Sequence, residues 1–387
     1  MRAEFWLSLK YLQRHKKTPA FFISILALIG IILGVAALIL VISVMSGFDK
    51  EVKDRLLGFN YHATLYYEDI TDNALTYVRG ISGVKEAVRY AELQTAVRFD
   101  KQIAPVIVYA IEYSNREREH WRGFLRKGDL SGAVVGSILF KKLGLTIGDD
   151  IEVFNPAISK LDKMKVTGCF DAGLYDIDDM AVLIDPAATG ERFAAEALKD
   201  IWALGVRLTD PDNASEFKHR LYSDNSHGLN FVSLWSDRNR TLFTWLKLEK
   251  IGAFIILSFI VVVAAFNIFA TQSIRVVEKT KDIGILNTIG FSRGSIALMF
   301  CLQGIVVGVM GTFIGLALGL GLCYIVGYTD ILPLPAELYH IKHIPVLVDW
   351  HEISVVCAVA FMMTFIFSLF PALKASSLNV VDAVGYE

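Results

Sequence analysis

Four stretches of this chain carry no Asp, Glu, Lys, Arg or His, and each is long enough to cross a lipid bilayer: residues 18–48, 251–274, 294–329 and 353–373. A helix spanning ~30 Å of hydrocarbon needs ~20 apolar residues. Of the 387 residues, 54% are hydrophobic, an excess over the ~45–50% of soluble domains that collects in these blocks. The expected fold class is a membrane protein with four transmembrane α-helices and a large α+β extracytoplasmic domain between the first two. The first block opens with Arg14, His15, Lys16 and Lys17, as a signal peptide does. Its apolar run is about twice the ~7–15 residues of a signal sequence, so an uncleaved helix is expected.

Lysine and arginine near the helix ends set the orientation. Arg2, Lys10, Arg14, Lys16 and Lys17 precede the first block, and Arg275, Lys279, Lys281 and Arg293 lie between the second and third. The loop between the third and fourth holds only Lys342 against Asp330, Glu337, Asp349 and Glu352. Both termini and the 275–293 loop are expected on the cytoplasmic side, with residues 49–247 outside. That segment, roughly 200 residues, is long enough for its own core. Its runs at 63–67, 104–113, 133–135, 151–154, 163–168 and 180–184 read as strands, and 137–143 and 213–221 as helices, with a turn at Gly148-Asp149-Asp150. Two small α+β subdomains are expected.

Absences narrow the chemistry. No G-x-x-x-x-G-K-[ST] phosphate loop, H-E-x-x-H or G-x-S-x-G occurs. Without charged or metal-binding side chains in the membrane blocks, ion-coupled transport and intramembrane proteolysis have nothing to work with. The net charge of −2 gives no bulk attraction for nucleic acid. Cys169 stands alone in the water-facing segment, while Cys301, Cys323 and Cys357 lie in apolar blocks, so no internal disulfide framework is available there. His340, His343 and His351 read as solvated loop residues rather than metal ligands, and Asp171, Asp176, Asp178 and Asp179 as a solvated strand-loop-strand rather than a calcium loop.

Two segments stand out. Gly304, Gly308, Gly311, Gly315 and Gly319 recur every three or four residues, with Gly321 beyond, and form a smooth helix face that another helix can approach closely. Between the second and third blocks, Glu278, Lys279 and Asp282 give way to Ile283, Ile285, Leu286 and Ile289, with a stop at Gly290. This reads as a short amphipathic helix that presents its apolar side to a cytoplasmic partner or rests on lipid headgroups.

Ser43-Val44-Met45-Ser46-Gly47-Phe48, Leu246-Lys247-Leu248-Glu249-Lys250 with the following run 257–268, the 278–290 segment, Phe370-Pro371-Ala372-Leu373-Lys374-Ala375 and the terminal Ala383 to Glu387 together resemble the signatures of the lipoprotein-releasing (Lol) permeases, in the MacB-like group of ABC transporters. The likeness extends over essentially the whole chain. Ser46 stands where Asn is usual in that family, and Gly385 where Arg is usual. The resemblance implies a non-enzymatic permease subunit in the bacterial inner membrane, paired with a second permease (a paralogue or itself). A cytoplasmic P-loop ATPase dimer would hold the ATP and Mg²⁺, with no cofactor on this chain. The complex would extract acylated lipoproteins and pass them to a periplasmic chaperone. The implied division is a cytoplasmic segment 1–19, membrane helices 20–48, 248–274, 294–327 and 351–373, a periplasmic domain 49–247, a coupling loop 275–293, a periplasmic loop 328–350 and a cytoplasmic tail 374–387. The interval 154–165 is short for the hook hairpin by which the family's chaperone-contacting permease docks.

Three acyl chains, at ~0.8 kcal/mol per buried methylene, amount to tens of kcal/mol of anchoring, so extraction needs coupled work and an apolar surface to receive the chains. Val41, Val44, Met45, Phe48, Leu242, Phe243, Leu246, Ile251 and Ile255, near the outer ends of the first two helices, are the expected surface. Glu278, Lys279, Asp282, Ile283, Ile285, Leu286, Ile289 and Gly290 are the expected ATPase-coupling residues. Other MacB-like permeases, exporting peptides or drugs or transmitting force to a cell-wall hydrolase, share the same features. A ligand-binding receptor or scaffold is a third reading, and the short cytoplasmic parts speak against it.

Overall fold

A computed structural model describes residues 19–189, 193, 197–198, 200–223, 228–329 and 344–376. The chain forms two compact units, one of membrane helices and one built on a β-sheet, and the sheet unit takes residues 51–244. Helix α1 (Pro19–Phe59) belongs to the membrane unit up to Lys50 and to the sheet unit beyond it. Its apolar block ends at Phe48, but 49–59 continues as helix, with Lys50, Glu51, Lys53, Asp54 and Arg55 at least partly exposed and Leu56 and Leu57 buried.

Among the described residues the sheet unit holds one ten-stranded sheet. Its strands are β1 (Ala63–Tyr67), β2 (Val84–Phe99), β3 (Gln102–Ile111), β4 (Leu125–Gly128), β5 (Ala133–Gly136), β6 (Asp150–Asn155), β7 (Lys160–Phe170), β8 (Ala181–Ile184), β9 (Trp202–Leu208) and β10 (Leu229–Leu234). They run β10-β1-β9-β2-β3-β8-β5-β7-β4, with β6 paired to β2 and β7. Short helices connect them: α2 (Asp72–Gly80), α3 (Asn115–Arg122), α4 (Ser137–Lys142), α5 (Tyr175–Met180), α6 (Pro186–Thr189), α7 (Ala214–Ser223) and α8 (Trp235–Arg238).

The expected pair of subdomains is corrected to a single sheet, and β2 is the reason. Its 16 residues pair with β9 along 84–91 and with β3 along 90–99, which joins the two halves. Lys85, Glu86, Arg89, Glu92 and Arg98 obscure it in the sequence; in the fold Arg89 and Arg98 pair with acids on neighbouring elements. The β6–β7 hairpin is closed by residues 156–159 between the paired Asn155 and Lys160, with Ser159 at a φ of 52°, so no extended hook projects from it.

The end of α1 is built into the sheet unit. The last four carbonyls of a helix have no partner within it. Here His120 Nε2 donates to the Gly58 carbonyl at 2.8 Å, and His62 contacts the Leu57 carbonyl. The Arg207 guanidinium donates to the carbonyls of Gly58 (3.2 Å), Asn60 (3.3 Å) and Phe59 (3.4 Å). A cation there complements the negative end of the helix dipole. Glu117, fully buried, balances it, with Arg207 Nε donating to Oε1 at 2.8 Å. The guanidinium lies over the Tyr61 and Trp121 rings, and Phe59 sits among Tyr109, Trp121, Phe124 and Phe170.

Burial, with the nearby Arg207 charge, holds His62 and His120 down to about 4. The fold therefore selects neutral imidazoles, and His62 Nδ1 accepts the Leu208 N–H at 2.9 Å. Because the folded values lie below the unfolded ~6.5, this stability is fully present above about pH 6.5 and is lost as pH falls toward 4. A loss of roughly 1–2 kcal/mol per histidine is expected by pH 5. Melting of the purified protein followed by intrinsic fluorescence should fall more steeply between pH 7 and 5 than in the His62→Gln variant; parallel curves would refute the assignment.

In the membrane unit, α1 packs with α9 (Arg240–Glu278), α11 (Arg293–Tyr328) and α12 (Trp350–Ser376), giving, among the described residues, four helices long and apolar enough to span a bilayer. Helix α10 (Thr280–Thr288) lies between α9 and α11 in the chain. The glycine face is where α11 meets its neighbours, and it serves three of them. A Cβ added at Gly304 would meet both Gln272 of α9 and Ser368 of α12 at 2.3 Å, and one at Gly308 would meet Thr364 of α12 at 2.4 Å. At Gly311, Gly315 and Gly319 it would meet Ile31, Val35 and Ile39 of α1 at 2.9–3.0 Å. Gly321 faces open space. On α1 itself, Gly30 and Gly34 admit Ala264 and Val261 of α9.

Candidate functional site

The outer end of the bundle is formed by residues near 48 of α1, 250 of α9, 328 of α11 and 350 of α12. There the Ser43–Phe48 motif divides into two faces. Ser43, Ser46 and Gly47 are buried. The Ser43 carbonyl accepts the Leu347 N–H at 2.9 Å, and Gly47 lies so close to the 344–349 segment that a Cβ would sit 2.2 Å from the Pro345 carbonyl oxygen. Ser46 Oγ accepts from Lys250 Nζ at 2.7 Å and lies 2.7 Å from both Glu352 Oε2 and the Ile42 carbonyl. Lys250 and Glu352 form an ion pair, their side chains only 23% and 26% exposed. Glu352 is the member of this cluster that no motif announced.

The other face is apolar. Val41, Val44, Met45 and Phe48 are each partly exposed. At 3.6 residues per turn they share a sector with Gly30 and Gly34. Lower on α1 that sector lies against α9; at the outer end it is partly open. The approaches of Gly30 to Ala264, Gly34 to Val261 and Ser46 to Lys250 set an antiparallel register that puts Val41 level with Ile255 and Met45 level with Ile251. Ile251 and Ile255 are exposed at 46% and 52%, and Leu246 is partly exposed. Leu242 and Phe243 belong to the sheet unit; Leu242 is exposed, and Phe243 meets Trp235 edge-on at 5.6 Å. The structure thus gathers seven of the nine expected surface residues into the membrane unit.

At the opposite end, α10 does not present a single apolar face. Ile283 is buried with Val276, Ile296, Met299, Phe300, Ala372 and Ala375, and Leu286 packs against the same cluster. Ile285 and Ile289 point away, exposed at 53% and 71%. Glu278 is exposed, Lys279 pairs with Asp282 at 2.9 Å, and Gly290 ends the helix at a φ of 102°. The expected single apolar face of four residues is therefore corrected: Ile283 and Leu286 pack into the permease's own core, and Ile285 and Ile289 are exposed. The sequence could not separate these four, because a nine-residue helix between two long ones can be covered from either side.

The acidic group is also corrected. Asp178 is not solvated: fully buried, it accepts the N–H groups of Ala172 at 2.7 Å and Gly173 at 3.0 Å, and burial raises its carboxyl above the usual range. Asp171 pairs with Arg126 and Asp179 with Lys142, so the group organises its own loop. His351 is exposed, its N–H held by Asp349, whereas His340 and His343 lie outside the described residues.

Residues 24–222 match the family model of the MacB-like periplasmic core domain, and residues 254–380 that of the FtsX-like permease C-terminal region. The chain is 30% identical to the lipoprotein-releasing system transmembrane protein LolC of Neisseria meningitidis serogroup B, over 99% of each chain. It belongs to the Lol permease family. It is also 28% identical to LolC of Xylella fastidiosa and 25% identical to LolE of Haemophilus influenzae, over 98% of each chain in both cases. The sheet unit is therefore the periplasmic core domain of a multi-pass inner-membrane Lol permease, and α11, α12 and α9 from residue 254 onward fall in its FtsX-like part. Permeases of this ABC class have no ATPase site of their own, in keeping with the missing phosphate loop.

Proposed function

We propose that this chain is the transmembrane permease subunit of an ABC complex that extracts acylated lipoproteins from the inner membrane for hand-over to a periplasmic chaperone. A separate cytoplasmic P-loop ATPase dimer drives it and holds the ATP and Mg²⁺; this chain binds no cofactor. A second permease subunit, a copy or a paralogue, completes the membrane part. Both termini and α10 face the cytoplasm, as the clustering of Arg275, Lys279, Lys281 and Arg293 favours. The observation that carries the reading is the open apolar sector of α1 at Val41, Val44, Met45 and Phe48, level with exposed Ile251 and Ile255 of α9. Acyl chains leaving the outer leaflet exchange lipid for apolar side chains there, so the partners change while the chains stay out of water.

A photocrosslinker at Met45 or Phe48 of the membrane-embedded complex is expected to capture a triacylated lipoprotein, and ATP turnover to reduce the captured fraction. One at Leu369, exposed near the other end of α12, should capture none. Equal capture at the three positions would mean that no acyl-chain site exists at the outer end.

A further inference from the structure

Lys250 and Ser46 belong to the two motifs that mark the first two membrane helices, yet neither lies on the apolar sector. We infer that Lys250 and Glu352 are positioning residues for the acyl-chain site: through Ser46 they fix the rotation of α1 that turns Val41, Val44, Met45 and Phe48 outward. This rests on the function proposed above. At 100° per residue, Ser46 lies roughly 150° around α1 from the centre of that sector. There it continues the buried line of Ile31, Val35, Ile39 and Ile42. It is held by two side chains from two other helices, Lys250 Nζ at 2.7 Å and Glu352 Oε2 at 2.7 Å, which also pair with each other. The 344–349 segment grips the adjoining side of α1, at the Ser43 carbonyl and Gly47.

Close glycine contacts between helices fix the rotation of α1 from Gly30 to Ile39, but none of them reaches its outer end. There, charge-assisted hydrogen bonds with fixed geometry resist rotation. They do so behind the substrate face, where they leave the apolar surface uninterrupted. Removing Lys250 leaves Glu352 partly buried with one partner fewer, and the outer end of α1 loses a directional contact that distinguishes its back from its front.

The test uses the full permease–ATPase complex in lipid nanodiscs, a triacylated lipopeptide as probe, and photocrosslinkers placed singly at Ile42, Met45 and Phe48. Wild-type complex should capture the probe at Met45 and Phe48 and scarcely at Ile42, which is 6% exposed. In Lys250→Met the ratio of capture at Met45 to capture at Ile42 is expected to fall about tenfold, since a hydrogen bond between charged groups is worth at least that population ratio. Combining Lys250→Glu with Glu352→Lys should restore the wild-type ratio. Ser46→Asn should preserve it, because an amide can both donate and accept. An unchanged ratio in Lys250→Met overturns the inference. So does a uniform loss at all three positions that the charge exchange fails to restore, for the pair would then only hold the bundle together. No capture at Met45 or Phe48 in wild-type complex would instead overturn the acyl-chain reading, and this inference with it.

Discussion

Replacing Arg207 with Met is expected to lower the melting temperature of the periplasmic domain by roughly 10 °C. Truncating one partner of a buried ion pair costs ~3–5 kcal/mol, because the other charge stays buried and uncompensated, and each kcal/mol shifts a domain of this size by ~2–4 °C. Arg207 and Glu117 are both nearly inaccessible to water, and the guanidinium also satisfies three carbonyls at the end of α1. The variant therefore loses the helix cap together with the ion pair. Arg220→Met is the control. Arg220 pairs with Glu216 as well, but both side chains are more than half exposed, and such a pair is worth ~0–1 kcal/mol. Adding Glu117→Leu to Arg207→Met should recover part of the loss, since the stranded carboxylate goes with it. Equal shifts for Arg207→Met and Arg220→Met, read by differential scanning fluorimetry, would show that the cap does not hold the helix end.

The second large effect is expected at α10. Ile285→Asp combined with Ile289→Asp should reduce the ATPase recovered with the purified permease by at least about tenfold, because two apolar side chains seated in a partner's groove contribute more than the ~1.4 kcal/mol that this factor requires. The melting temperature of the permease itself should not change, as both side chains already face outward. Leu286→Asp makes the opposite pattern. It places a carboxylate against Ile283, Met299 and Phe300, which costs several kcal/mol to desolvate, and should destabilise the permease first. Wild-type ATPase recovery from the double variant would make α10 an interfacial helix with no partner.

The β-structure shows how far local pattern reaches. Strands β1, β3, β5, β6, β7 and β8 all fall on the β-branched and aromatic runs marked in the sequence, to within a few residues. Gly148, at a φ of 105°, stands in the expected turn, and Gly144, at 67°, follows the end of the helix read over 137–143. Strands β2, β4, β9 and β10 were not legible. β2 is rich in charge, and its pairing with β9 spans more than a hundred residues of chain, so nothing nearby in sequence signals it. β9, with Trp202–Leu208 almost wholly buried, lacks the alternation that marks a one-sided strand. The α10 segment is a different case: its apolar residues are plain in the sequence, but their division between the permease's own core and the exposed side is not.

The sequence by itself determined the four apolar membrane blocks, the glycine face of α11, the lack of a phosphate-loop motif and the two motifs that meet at the outer end. Each of these depends on local composition or on spacing along one helix, and hydrocarbon or close backbone approach imposes them wherever the helices end up. Only the tertiary structure decided which neighbour each glycine admits, that Glu352 joins Ser46 and Lys250, that Ser43, Ser46 and Gly47 turn inward while Val44, Met45 and Phe48 turn out, and that Arg207 caps a helix ending some 150 residues earlier. These are relations between distant segments. Packing fixes them through the helix crossing positions and the need of buried charges and carbonyls for partners, and no single stretch of sequence contains both sides of the pair.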